Sequence, residues 1–129
     1  MNDCDDTTTH LSDSFGIYRG DSWGHTIRIG RYDTDGTTWL PHDLTDYTVT
    51  SQMRTRSGPF GALVVNVSAT IDPNPATGVI VTNLLPSETE QIVPATVAWD
   101  LQLAKDGLVW SPLRVTVPVS GDVTREETP

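Results

Sequence analysis

Cysteine is nearly missing from this chain. Cys4 stands alone, which excludes an intramolecular disulfide, and neither His10 nor a second cysteine gives it the spacing of a metal set. A free surface thiol, made in a reducing compartment, is expected. Lysine is as scarce: Lys105 is the only one, and 8 basic residues face 17 acidic ones for a formal net charge of −9. That balance repels phosphate backbones and anionic surfaces, so neither nucleic acid nor membrane is expected as a partner. No apolar run approaches the roughly 20 residues that cross a bilayer as a helix. The first twelve residues carry three aspartates and no apolar stretch, and no signal peptide is expected there.

Reaction signatures are missing as well. GxSxG, HExxH, CxxC and phosphate-cradling glycine loops do not occur. His10, His25 and His42 fall on an N-terminal arm, a strand start and a turn, with no serine or cysteine motif around them. Glu88 and Glu90 lie two apart without the split environment that an acid/base pair needs, and read as solvated turn acids. Asp33-Thr-Asp-Gly36 shares the opening of a calcium loop, but Thr37-Thr-Trp-Leu-Pro41 brings no closing glutamate, and the reading is a hairpin turn. No enzymatic activity, cofactor or metal is expected from these residues.

What is present is period-two patterning. In Ala95 to Leu103 the residues Val97, Trp99, Leu101 and Leu103 share one face of an extended strand, with Thr96, Ala98, Asp100 and Gln102 on the other. Trp99, which buries on the order of 200 Å² if enclosed, is the expected centre of the core. The same alternation runs through Tyr47 to Thr55, placing Val49, Ser51 and Met53 inward, and through Leu63 to Ile71, placing Leu63, Val65 and Val67 inward. Leu113, Val115, Val117 and Val119 share a face of a last strand in which Pro112 and Pro118 require an edge, an end or a bulge.

Turn chemistry separates these runs. Asp43-Leu-Thr-Asp46, Ser57-Gly-Pro59, Asp72-Pro-Asn-Pro75 and Lys105-Asp-Gly107 each interrupt extended structure. Pro86 to Gln91 fits a single helical turn. About seven strands at intervals of roughly eight to fourteen residues, with no longer helix, predict an all-β fold: a single antiparallel β-sandwich of immunoglobulin-like type. The sandwich is expected over 13–120. Residues 1–12, polar and threonine-rich, read as a flexible arm that is either disordered or laid on a neighbouring protein, and 121–129 read as a polar tail.

Four segments carry a resemblance. Phe15-Gly-Ile-Tyr-Arg-Gly-Asp-Ser-Trp23, Asp43-Leu-Thr-Asp-Tyr-Thr-Val-Thr-Ser-Gln-Met-Arg-Thr55, Trp99-Asp-Leu-Gln102 and Gly121-Asp-Val-Thr-Arg125 together resemble the small immunoglobulin-like β-sandwich domain of tailed-phage virions. That domain is similar to the N-terminal domain of the siphophage upper baseplate protein. Asp46 stands where such sequences often carry glycine, and aspartate also tolerates the left-handed conformation. The resemblance implies a non-enzymatic structural protein of the virion, made in the host cytoplasm. Baseplate members continue into a receptor-binding platform or fibre and this sequence does not, which implies a stand-alone module. It would be either a capsid decoration (cement) protein or a tail or baseplate adaptor for a fibre. The implied partners are coat or tail/baseplate subunits, with a homo-oligomer on the particle.

Under that expectation Trp23, Trp39 and Trp110 read as turn-borne aromatics, packed at the core edge or presented as interface anchors. Trp39 and Trp110 are expected to be the more exposed pair, and Asp3, Thr8 and His10 are the candidate contacts on the arm. A carbohydrate-binding β-sandwich for host-surface attachment is the alternative from another class. It requires two aromatic rings lying coplanar on one exposed face or rim.

Overall fold

The inward face of Val97, Trp99, Leu101 and Leu103 needs a partner layer, and the way the sheet supplies one sets the architecture. The computed structural model describes residues 16–56 and 61–121 and the backbone of 8–11. Nine strands occur there: β1 (Thr8–Leu11), β2 (Ile17–Tyr18), β3 (Trp23–Tyr32), β4 (Trp39–Pro41), β5 (Thr48–Arg54), β6 (Leu63–Ile71), β7 (Val79–Leu84), β8 (Thr96–Lys105) and β9 (Leu108–Ser120). A 3-10 turn spans Pro75–Thr77, and one helical turn, α1, spans Pro86–Thr89. The hydrogen-bonded order is β1-β3-β7-β6-β5-β8-β9-β2, with β4 beside β3.

Strand β6 is the fold line. Its first half, Leu63–Val67, pairs with β5 and its second half, Ser68–Ile71, pairs with β7. The sheet doubles over at this strand, bringing β3 and β7 opposite β5, β8 and β9. Trp23 of β3 and Trp99 of β8 meet edge to face across the interior, ring centroids 4.7 Å apart. The protein is an all-β sandwich, and the strand order follows the ABED and CFG arrangement of immunoglobulin-type domains.

The core forms where the alternation places it. Trp99, Val97, Leu101, Met53, Val67 and Val117 are buried, while Val49, Val65 and Val115 are half-buried and packed against them. Each fully enclosed aliphatic side chain here contributes about 1.5–3 kcal/mol. Trp99 adds a polar requirement, because its indole N–H is enclosed too. Nε1 donates to Ser51 Oγ at 2.8 Å, and that hydroxyl donates to the Asp100 carbonyl at 2.7 Å. Ser51, polar at an inward position, therefore links β5 to β8 beyond the ladder.

Several expectations are corrected. The strands number nine rather than about seven, and the sandwich is not wholly antiparallel, since Ile17–Tyr18 run parallel to Val119–Ser120. Within the stretch read as a flexible arm, Thr8–Leu11 pair antiparallel with Ile27–Gly30 of β3, so backbone pairing orders a segment with almost no apolar content. Asp3 and residues 122–129 of the expected tail lie outside the described residues. Leu63 is exposed instead of inward. The β5–β6 register shifts beyond Met53, which pairs with Val65 while Arg54 pairs with Leu63, and the extra residue, Val64, turns Leu63 onto the outer face. A second shift gives Pro112 its place: Leu101 pairs with Leu113 but Leu103 with Trp110, so the proline sits in a bulge. Glu88 is not merely solvated, because its carboxylate accepts from the Leu85 N–H at 2.8 Å and caps α1.

Replacing Trp99 by alanine is expected to cost about 3–5 kcal/mol in urea-induced unfolding. Ser51→Ala, which leaves the indole N–H without its acceptor, should cost about 1–3 kcal/mol. A Ser51→Ala variant as stable as the parent would refute the role given to that hydroxyl.

Candidate functional site

The residues that could meet a partner are found by asking where alternation fails at the surface. Successive strand residues point to opposite faces, so two consecutive exposed apolar residues mean that both faces are open. Leu108 and Val109 are such a pair, 76% and 64% exposed. They follow a two-residue turn in which Asp106 and Gly107 both take positive φ, 54° and 82°. That is the hairpin turn which an Asp-Gly pair favours. The β8–β9 hairpin thus projects past the opposing layer and carries an apolar tip.

Behind the tip lies a cluster of half-buried rings. Trp110 faces His42 at 5.2 Å, His42 faces Tyr47 at 5.7 Å with Nε2 3.4 Å from the phenol oxygen, and Lys105 Nζ stands 5.3 Å above the Tyr47 ring. Two separate stretches, 42–47 and 105–110, are needed to build it. His42 is held by its backbone N–H, which donates to Ile29 O at 2.8 Å, and by close packing against Gly78, whose φ is +68° and where any side chain would meet the His42 backbone. Beside it Asp43 accepts from the Thr45 hydroxyl and backbone N–H. These bonds, with the nearby Lys105 and His42, hold its carboxyl below the ordinary 3.8.

The other end of the sandwich is built differently. Arg19 Nη2 donates to the Val93 and Pro94 carbonyls at 2.8 and 3.1 Å, and Nε donates to the Ile92 carbonyl. The buried Thr89 hydroxyl accepts from Gly20 N at 3.0 Å and donates to Asp21 O at 2.8 Å. These bonds tie the β2–β3 turn to α1 and to the chain leading into β8. On this pinned backbone Val93 is 83% exposed and Leu85 60%.

Of the residues singled out from sequence, Trp23 is a buried strand residue and not turn-borne, since β3 begins with it. Trp39 and Trp110 are both half-buried and stand in different clusters. Trp39 packs edge to face on Tyr32, centroids 5.1 Å apart and planes at 72°, with the Arg28 guanidinium 5.5 Å from its ring centre. Thr8 and His10 belong to β1, where only the backbone is described. Sequence reading missed Leu108, Val109, His42, Tyr47 and Lys105. The signal for the first two was present, because a long hairpin turning at Asp-Gly must end in residues with nothing opposite them. The ring cluster left no local trace.

The Asp33–Gly36 turn joins β3 to β4 as expected. Asp35 accepts from the Thr38 hydroxyl at 2.6 Å and from the Thr38 and Thr37 backbone N–H groups at 2.9 and 2.8 Å. The Thr38 bonds, chiefly its hydroxyl, and then the Thr37 N–H lower its pKa from 3.8 to about 2. Because the folded value lies below the unfolded one, the turn's contribution to stability is complete above about pH 4 and is lost as pH falls toward 2. A carboxyl-carbon NMR titration should therefore find Asp35 titrating near the bottom of the accessible range, and Thr38→Ala should move its midpoint up toward 3.8. An unshifted midpoint in the parent protein would contradict the turn geometry. No protein-family model matches the chain, and no curated protein matches it.

Proposed function

We propose that this chain is a non-enzymatic docking module of a tailed-phage virion that holds neighbouring subunits together. It would act on the capsid as a decoration protein or on the tail as a baseplate or fibre adaptor. The observation that carries the reading is the placement of exposed apolar side chains at both ends of one sandwich. Leu108 and Val109 stand at the end of β8, and Leu85 and Val93 stand near its start. Ten residues of β8 separate the two groups by about 30 Å. A module that contacts one neighbour only has no need of both.

Preorganisation favours the same reading. Val93 projects from a backbone whose carbonyl is bonded by Arg19, and Leu85 from one whose N–H is capped by Glu88. Side chains carried on fixed backbone lose little entropy on docking. Aromatic residues behind the hairpin tip supply the large, rigid contact area common at interface centres. Partners would be coat or tail subunits, with further copies of this chain placed by the symmetry of the particle.

The carbohydrate-binding alternative draws less support from the geometry. Tyr32 and Trp39 cross at 72°, which gives consecutive sugar rings no common plane, and Trp23 and Trp99 are buried.

The test is a double variant, Leu108→Ser with Val109→Ser. Its melting temperature should stay within a few degrees of the parent, since exposed side chains contribute little to folding. Its recovery with particles of the phage that encodes the chain should fall at least several-fold. Cryo-electron microscopy of those particles should place the parent protein between subunits, with the hairpin tip against one of them. Particles lacking the protein, or a variant recovered as well as the parent, would overturn the proposal.

A further inference from the structure

On the reading of Leu108 and Val109 as a docking tip, we infer that the surface receiving them is an apolar pocket rimmed by lysine or arginine side chains, on a protein other than a second copy of this chain.

The tip is apolar at its centre and acidic around it. Leu108 and Val109 are the exposed aliphatic pair of the β8–β9 hairpin. Thr48 pairs with Ala104, so the chain entering β5 at Asp46 runs beside the turn at Asp106. Asp43 belongs to the same rim, close enough to Lys105 to feel its charge. Asp43, Asp46 and Asp106 are all exposed, while Lys105 is half-buried with its ammonium over the Tyr47 ring. Among the described residues, the Asp46 and Asp106 carboxylates accept no hydrogen bond and form no ion pair.

Both of these aspartates sit where the backbone would be better served by glycine. Asp46 has a φ of 68° and Asp106 of 54°, the left-handed region that glycine enters without strain and aspartate only at some cost. The fold makes no use of the two charges that are kept there. A partner of opposite charge would.

The rim also decides against a second copy. Tip against tip opposes the acidic rim to itself. Tip against the other apolar end, Leu85 and Val93, opposes it to Asp21, Glu88 and Glu90. The one cation at that end, Arg19, spends its donors on the Ile92, Val93 and Pro94 carbonyls. Like charges brought together at a contact cost affinity and suppress that partner. A basic-rimmed apolar pocket meets both parts of the tip: burial takes the aliphatic pair, and charge-assisted bonds take the carboxylates at the margin.

The test is a titration of the full chain with a synthetic amphipathic leucine–lysine peptide, followed by NMR at the Leu108 and Val109 methyl groups. A leucine–glutamate peptide of the same pattern and hexalysine are the parallel arms. The leucine–lysine peptide should shift the methyl signals saturably and bind more weakly as salt is raised, while the other two leave them in place. Asp46→Gly combined with Asp106→Gly should melt at the parent's temperature or above it, because left-handed backbone is relieved, yet bind about threefold more weakly or worse. Absence of saturable shifts, an equal response to the leucine–glutamate peptide, or a glycine variant that binds as well as the parent would each overturn the inference. So would a parent chain that dimerises through its tip, seen as methyl shifts that depend on protein concentration. Failure of the docking reading is seen separately, in the recovery of the Leu108→Ser, Val109→Ser variant with particles; a tip needed for recovery but indifferent to charge ends this inference alone.

Discussion

A buried indole N–H must find an acceptor, and the rest of this structure depends on the one that Trp99 finds. Ser51 supplies it, at the one inward position of β5 where an apolar residue would have been the simpler choice. The bond works in only one register of β5 against β8. A slip of one residue would carry Ser51 to the outer face and leave a donor enclosed without a partner, at a cost of about 1–3 kcal/mol on top of the lost burial. The same ring receives Trp23 from the opposite layer at 4.7 Å and stands 5.7 Å from the His25 ring. One side chain thus fixes the pairing within a layer and the contact between layers.

With the middle fixed, the two ends are free to differ. One is a hairpin that outruns its opposing layer and bares two aliphatic residues. The other is a cap in which Arg19 and Thr89 bind backbone atoms from three stretches of chain. Its scarce cations are placed one by one: Arg19 in the cap, Arg54 on the outer amide groups, Lys105 over Tyr47 and Arg28 over Trp39. In a chain this acidic such placements stand out from the surrounding field.

Most of the core was legible in the sequence because strands of period two are local objects. The inward residues of β8 and the valines of β9 follow from their spacing alone. Legibility ended at the bulges: Val64 and Pro112 each add a residue, and from Val64 outward the parity inverts, which is why Leu63 was misplaced. It ended also wherever backbone pairing replaces side-chain pattern, as in Thr8–Leu11, which have little hydrophobic signal yet form a strand. Trp39 and Trp110 were singled out from the sequence, but their neighbours were not. His42 with Trp110, and Arg28 with Trp39, come together only after the sheet has folded. No spacing along the chain encodes such meetings, which are visible only in three dimensions.

Hydrogen exchange of the four tryptophan indole N–H groups tests the central claim most directly. If Trp99 joins the two layers, its indole proton exchanges only by global unfolding. Its exchange free energy then equals the unfolding free energy from denaturant melts, and it outlasts the indole protons of Trp39 and Trp110. A Trp99 indole proton that exchanges through a smaller local opening, at a rate close to those of Trp39 and Trp110, would contradict the account.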